Sequence, residues 1–253
     1  MRLAHSGKDW IFVSDAHFTG RESGEMEPFL RFLDAEKPRM GFLVILGDLF
    51  EFFFGFTRTP LPFPDYLPVL KGLCALCRQG IGIKYFEGNH DFSLQPFFRH
   101  HFGIPVEVYP EGKEEELGEW RTFIAHGDLS SQKTWRERIF RRVLKNRFTY
   151  YFIRLAGPGF SRRVARKLSD RSYRKFHLQA PSVSPPAFKA FAHHKFHEGF
   201  AAVILGHSHF PEKAEEWVNG RRCLYFNVGD WKDHRSYLRY TPPDHFQLER
   251  YEG

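Results

Sequence analysis

Five short segments of this 253-residue chain end in metal-ligating side chains, and each follows an apolar run of strand length. In chain order they are Asp15-Ala16-His17, Gly47-Asp48, Gly88-Asn89-His90-Asp91, His126-Gly127-Asp128 and Gly206-His207-Ser208-His209. The runs ahead of them, residues 10–14, 42–46, 83–86, 122–125 and 201–205, read as buried strands. Strand ends on one edge of a sheet bring residues that are distant in sequence together. Two Asp, one Asn and four His then converge, enough donors for two metal ions sharing one carboxylate. Such a pair clamps the attacking and leaving oxygens of an in-line displacement at phosphorus.

No single motif carries this reading. Asp15 and His17 alone read equally well as a turn aspartate beside a chance histidine. Asp48 closes the run Phe42-Leu43-Val44-Ile45-Leu46-Gly47, where a carboxylate is costly unless paired or metal-bound. Asn89 can ligate through its carbonyl oxygen, with His90 facing substrate. His207 and His209, two apart after a strand, are poor core histidines, and Gly206 is predicted to allow a sharp turn there. The five segments in this order separate the metal reading from coincidence. Mixed oxygen and imidazole donors suit manganese, iron or zinc better than calcium or magnesium.

Aromatic content is 17%, with 29 Phe, so a substantial core is available. No run of eighteen or so apolar residues predicts a membrane-spanning helix. The N-terminal stretch shows no signal-peptide pattern. Three sparse cysteines argue against a disulfide framework and fit a reducing cytosol. The net charge of +7 is uneven: residues 133–175 hold 15 Lys/Arg against Glu137 and Asp170. That segment carries +13 and leaves −6 for the remainder, which points to a local anionic partner: nucleic acid, a phosphorylated ligand or an anionic membrane face.

Strand and helix patterns alternate through the first hundred residues, with helices predicted at 25–37, 66–78 and 96–102 and a Pro-rich loop at Pro60, Pro62 and Pro64. Near the C-terminus, Asn219-Gly220 predicts a hairpin between 213–218 and 222–227, followed by strands at 237–240 and 245–251. The fold class expected is α/β, a two-sheet α/β sandwich forming one domain over 1–253. A basic and aromatic insertion over 131–180 interrupts it. There Trp135, Ile139, Val143, Leu144, Phe148, Tyr151, Phe152 and Leu155 lie at helical spacing, and Ser161 is a candidate N-cap after Gly157-Pro158-Gly159. This predicts a helical hairpin that rises from the catalytic edge as a lid.

The five-part constellation resembles that of the calcineurin-like metallophosphoesterases over nearly the whole chain. The resemblance implies one metal at Asp15, His17 and His209, a second at Asn89, His126 and His207, and Asp48 bridging them. It implies two divalent ions, manganese first with iron or zinc as alternatives, that activate the attacking hydroxide. His90 would donate a hydrogen bond or proton near the leaving oxygen, with Asp91 orienting it.

Further motifs narrow the resemblance. Gly47-Asp48-Leu49-Phe50-Glu51 runs into Phe52-Phe53-Phe54, Asn89-His90-Asp91-Phe92 follows, and Phe226-Asn227-Val228-Gly229-Asp230-Trp231 lies near the end. With the insertion, these look like the UDP-2,3-diacylglucosamine diphosphatases of lipid A synthesis. That implies cleavage at the α-phosphorus to UMP and 2,3-diacylglucosamine 1-phosphate, on the cytoplasmic face of the inner membrane. Asn89 and His90 would contact substrate, as would Trp135, Arg138, Arg141 and Phe152 of the lid. The chain departs from the best-known branch, which has Arg where His90 stands and differs at Leu129-Ser130-Ser131. It reads as a sister branch.

Two other readings remain open at this point. One is a nuclease or nucleotide phosphodiesterase, with the basic segment on a phosphate backbone; the interleaved aromatics disfavour nucleic acid as partner. The other is a binding scaffold without catalysis, which retention of all seven ligand positions disfavours. The Phe run beside Asp48 reads either as an apolar chamber wall or as core. Cys74, Cys77 and Cys223 read as core, and His193, His194 and His197 as a surface helix. Asp230 and Trp231 are candidates to support the site from a loop.

Overall fold

The apolar runs form strands because their branched and aromatic side chains alternate between two dry faces. The computed structural model describes residues 7–20, 24–57, 63–130, 151, 153, 155–157, 159 and 185–253. Thirteen strands are seen among them: β1 Asp9–Val13, β2 Met40–Ile45, β3 Phe53–Phe54, β4 Gly82–Phe86, β5 Asp91–Phe92, β6 Val106–Tyr109, β7 Lys113–Leu117, β8 Trp120–Ile124, β9 Ala202–Leu205, β10 Pro211–Val218, β11 Arg221–Val228, β12 Ser236–Thr241 and β13 His245–Arg250. Helices among the described residues include α1 Glu27–Glu36, α2 Leu67–Arg78, α3 Gln95–Phe102 and α4 Pro186–His197, each with Pro in its first turn, where no intrahelical N–H is needed.

One sheet has the order β13-β12-β1-β2-β4-β6, the other β10-β11-β9-β8-β7, and β3-β5 form a small parallel pair. β1, β2, β4 and β6 run parallel in the first sheet, as do β8, β9 and β11 in the second. Odd and even residues then separate into layers. Phe12, Val44, Leu46 and Phe86 meet Ile124, Ala202, Ile204 and Phe226 in one core shared by both sheets. Ile11, Val13, Leu43, Ile45, Ile83 and Tyr85 face the other way, against Phe29, Phe32, Leu73 and Phe97 of α1, α2 and α3. Val203, Leu205 and Tyr225 pack on Phe188, Ala192 and Phe196 of α4. The expected two-sheet α/β sandwich is the observed fold.

Four strands were not expected. β7, with the sequence Lys113-Glu114-Glu115-Glu116-Leu117, is an edge strand whose charges mask its pattern. β3 and β5 pair Phe53 with Asp91 and Phe54 with Phe92, too short for periodicity to show. β6, with four residues, is also short.

The Phe run beside Asp48 is core, not a chamber wall: Phe50 and Phe53 are fully buried, and Phe52, Phe54 and Phe56 nearly so, in the cluster under α1–α3. Cys74 and Cys223 are buried and all three thiols are free; burial pushes Cys77 up to about 11, which leaves it unreactive. Trp135, Arg138, Arg141 and Phe152, the residues expected in a lid, lie outside the described residues, as does most of 131–180. Within it, Ile153 packs against the first-sheet core, while Tyr151 and Leu155 are exposed. No helix among the described residues is long and apolar enough to cross a membrane.

Candidate metal centre

The C-terminal ends of β1, β2 and β4 in one sheet face those of β8 and β9 in the other, and the five motifs occupy the loops that follow. The backbone there is unusual. Asp15, His17, Asp48, His207 and His209 all have φ between 49° and 65°, in the left-handed region. For side chains with a Cβ this costs free energy, and such residues concentrate at functional sites. The conformation turns the chain abruptly after β1, β2 and β9 and presents the pairs Asp15-x-His17 and His207-x-His209 to the cluster.

The predicted seven side chains are brought together. Asp15, Asp48, His126 and His207 place donor atoms within 4.8 Å of one another; so do Asp15, His17 and His209, and so do His17, Asp48 and His90. His126 Nε2 lies 3.0 Å from His207 Nδ1, 3.3 Å from Asn89 Oδ1 and 3.5 Å from Asp48 Oδ2. On the other side, Asp15 Oδ1 lies 3.5 Å from His209 Nε2 and 3.6 Å from His17 Nε2. Asp15 Oδ1 is wholly buried and accepts no hydrogen bond among the described residues. A buried carboxylate oxygen left so between two imidazole nitrogens fits a divalent cation, which supplies what a hydrogen bond does not.

Outer contacts hold the donors. Asp15 Oδ2 accepts from the Ser14 hydroxyl and from the His207 backbone N–H at 2.8 Å. Asp48 Oδ1 accepts from the His90 backbone N–H at 2.9 Å. His126 Nδ1 is 2.6 Å from the Leu46 carbonyl, which leaves Nε2 for the site. His209 Nδ1 is 3.2 Å from Asp230 Oδ2. Two glycines are required by close approach. A Cβ at Gly206 would fall 2.0 Å from Ser14 Oγ, and one at Gly88 2.0 Å from Asp48 Oδ1. The sharp turn expected at Gly206 is in fact made by His207, with φ 65°.

Electrostatics follow from packing two carboxylates among imidazoles. Burial works against charge on Asp15 and Asp48. Even so, His209 and His17 hold Asp15 below the usual carboxylate range, and His126 and His90 hold Asp48 there. Burial would also lower His126, but Asp48 more than offsets it and pushes the imidazole up to about 10. His207, buried beside a charged His126, is pushed down to about 4.

His90 is half-buried and packs edge-on against His17, with ring centroids 4.9 Å apart. Its Nδ1 lies 2.8 Å from the Glu51 carbonyl, so Nδ1 donates and Nε2 turns to the site. Asp91, expected to orient His90, is engaged elsewhere. Its carboxylate accepts from the Gly88 N–H at 2.6 Å, the Leu49 N–H at 3.2 Å and the Tyr85 hydroxyl. Burial, then Asp48, pushes Asp91 up to about 7. It secures the loops that present Asp48 and Asn89, while a main-chain carbonyl orients the imidazole. Sequence reasoning had no signal for that carbonyl.

His193, His194 and His197 lie on the exposed face of α4, where His193 meets Glu216 and His197, outside the cluster. Trp231 is core: it stacks on Tyr251 and meets Phe29 edge-on and Phe32 at a tilt. Asp230 is buried and reaches both His209 and His234. His234 was not singled out from the sequence, although its offset of four from Asp230 is a turn-capping spacing.

A family model described as calcineurin-like phosphoesterase matches residues 10–211. Curated relatives named UDP-2,3-diacylglucosamine hydrolase align over most of both chains. That of Pseudomonas putida is 27% identical over 252 residues, 96% of this chain and 98% of the relative. That of Stenotrophomonas maltophilia is 28% identical over 242 residues, 90% and 93% of the two chains. That of Proteus mirabilis is 25% identical over 231 residues, 91% and 94%.

Proposed function

Since this chain belongs to the calcineurin-like phosphoesterase family, we propose that it hydrolyses the diphosphate of UDP-2,3-diacylglucosamine at the α-phosphorus, giving UMP and 2,3-diacylglucosamine 1-phosphate. The observation that carries this reading is the set of overlapping donor clusters built on two buried carboxylates, Asp15 and Asp48. The relatives' names supply the substrate.

Asp15, His17 and His209 would hold one divalent ion and Asn89, His126 and His207 the other, with Asp48 between them. Manganese is the ion proposed, with iron or zinc as alternatives. When bound, such ions supply charge neutralisation at the phosphoryl oxygens and an acidified water. The chain's own residues do the rest. Asp48 and Asp15 set the negative charge that selects cations, and the backbone N–H of His90 keeps Asp48 in place. His90, anchored through Nδ1 by the Glu51 carbonyl, presents Nε2 and as imidazolium donates its proton to the departing sugar phosphate. Asp91 acts through the loops it ties, not by contact with substrate.

The 131–180 insertion is proposed to form the lid over this edge, with Trp135 and Phe152 toward acyl chains and Arg138 and Arg141 toward the diphosphate. Its excess of +13 over residues 133–175 supports peripheral attachment to the anionic cytoplasmic face of the inner membrane. Exposed Tyr151 and Leu155 are consistent with an apolar ligand there.

The test is incubation of the manganese-loaded protein with UDP-2,3-diacylglucosamine and mass analysis of products, beside unacylated UDP-glucosamine and single-stranded nucleic acid. UMP plus the diacylated sugar phosphate, with little turnover of the controls, is expected. Turnover of nucleic acid but not the lipid would keep the chemistry and discard the substrate.

A further inference from the structure

Each imidazole that faces the centre has one nitrogen available to a cation only if its other nitrogen carries the proton. A neutral imidazole holds a single N–H, and its partner decides where. Main-chain carbonyls do this for His126, at Leu46, and for His90, at Glu51. At His209 the partner is a carboxylate, Asp230. It sits on the loop that joins β11 to β12 and is 1% exposed.

The two oxygens of Asp230 have separate tasks. Oδ1 accepts from the backbone N–H groups of Asp233, at 3.1 Å, and His234, at 2.8 Å, and lies 3.0 Å from His234 Nδ1. Oδ2 lies 3.2 Å from His209 Nδ1, while His209 Nε2 lies 3.5 Å from Asp15 Oδ1. We infer that Asp230 is a positioning residue of the metal centre: its Oδ2 holds His209 as the Nδ1–H tautomer and thereby keeps the Nε2 lone pair directed at the cation beside Asp15. Outer carboxylates of this kind raise ligand basicity and fix ring orientation. His209 needs such support, because its side chain is 23% exposed and its ring is otherwise braced by a parallel stack on His17, 5.2 Å away. The inference rests on the two-metal reading of the site.

The division of oxygens makes the test sharp. In Asp230→Asn the oxygen has to stay on the Oδ1 side, because two backbone N–H groups point at it. The amide NH2 then faces His209 Nδ1, donor against donor. His209 must turn to the Nε2–H tautomer, which has no lone pair for the cation. Asp230→Ala removes the partner without imposing a tautomer. Titration calorimetry with Mn2+ is therefore expected to show weaker binding at one of two sites, about 10- to 100-fold in the Ala variant and more in the Asn variant. A residue that merely caps its turn would give the opposite order, since Asn keeps the cap and Ala loses it. Burial would lower His209, but Asp15 and Asp230 raise it, so the tautomer is read at alkaline pH, where the ring is neutral. Long-range 1H–15N spectra of the metal-free protein should then report Nδ1–H at His209 in the unchanged chain and Nε2–H in Asp230→Asn.

Two-metal binding of unchanged affinity in Asp230→Asn, or weaker binding by Ala than by Asn, overturns the inference. If the unchanged protein binds no metal, the two-metal reading fails; the His209 tautomer, read without metal, still decides what Asp230 does. Asp230→Asn preserves shape and cap, so the comparison survives even if the Ala variant does not fold.

Discussion

The backbone N–H of His207 donates to Asp15 Oδ2 at 2.8 Å, across 192 residues of sequence. The bond ties the end of β9 in one sheet to the end of β1 in the other, directly beneath the donor cluster. It is possible because Gly206 presents no Cβ to Ser14.

Gly206→Ala is the direct probe of that approach. Its Cβ would fall 2.0 Å from Ser14 Oγ and 3.0 Å from Asp15 Oδ2. Overpacking of this kind is expected to cost about 1–3 kcal/mol of stability, with weaker metal binding as the sheet ends part. Urea unfolding and metal titration of the variant check this. An unchanged midpoint would mean that the two sheet ends have slack.

Asp48 and His90 are expected to fail differently. Asp48→Ala removes a donor from two clusters and should lose metal and activity together. His90→Ala should keep both metals and lose roughly 10²–10⁴ in kcat, the range for a general acid. Elemental analysis beside steady-state kinetics separates the two. Full metal occupancy in Asp48→Ala would sink its assignment as the bridge.

Metal uptake should release protons. In the metal-free chain burial opposes charge on His126, but Asp48 pushes it up to about 10, so the imidazole is charged at neutral pH. A cation at Nε2 displaces that proton, and apparent affinity rises with pH up to that value. Calorimetry in buffers of different ionisation enthalpy measures the release, and identical heats in all buffers would contradict it. Chelation should lower the melting temperature, and saturation to about 100 times Kd should restore about 2.7 kcal/mol per site.

Far from the site, Arg239 joins three carboxylates: Asp9 at 3.0 Å, Glu36 at 2.8 Å and Glu249 at 2.7 Å. Arg239→Met leaves these facing one another and should cost about 3–5 kcal/mol near pH 7. Burial would raise Glu249, but hydrogen bonds from Arg239 and Tyr237 bring it below its ordinary value. A depressed carboxyl contributes stability above its unfolded pKa, about 4.3, and loses it as pH falls through the folded value. The gap between wild type and variant should therefore narrow below about pH 4. Thermal melts from pH 7 to 3 would show it, and a gap that widens in acid would refute the account.

The order of the five motifs, each after an apolar run, was sufficient to place Asp15, His17, Asp48, Asn89, His126, His207 and His209 at strand ends. Continuous apolar runs of strand length likewise announced β1, β2, β4, β8 and β9 and the sandwich they build. These features are legible because strand burial and ligand type are local properties of the chain. Other features depend on atoms that meet only after folding. No pattern in the sequence indicates that five candidate ligands take left-handed backbone, or that Glu51 lends its carbonyl to His90. That Asp91 ties loops, and that Asp230, a candidate support in the sequence, does so by gripping His209, is equally hidden, since Glu51, Asp91 and Asp230 are all plain acids in sequence. The charged edge strand β7 escaped for a related reason: an edge needs no apolar alternation, and its pairing with β8 is decided by the neighbour it finds. Sequence determined which chemistry the chain can assemble. Tertiary structure decided which oxygen faces which nitrogen, because hydrogen-bond partners are settled by distance and direction between segments and not by the identity of either one.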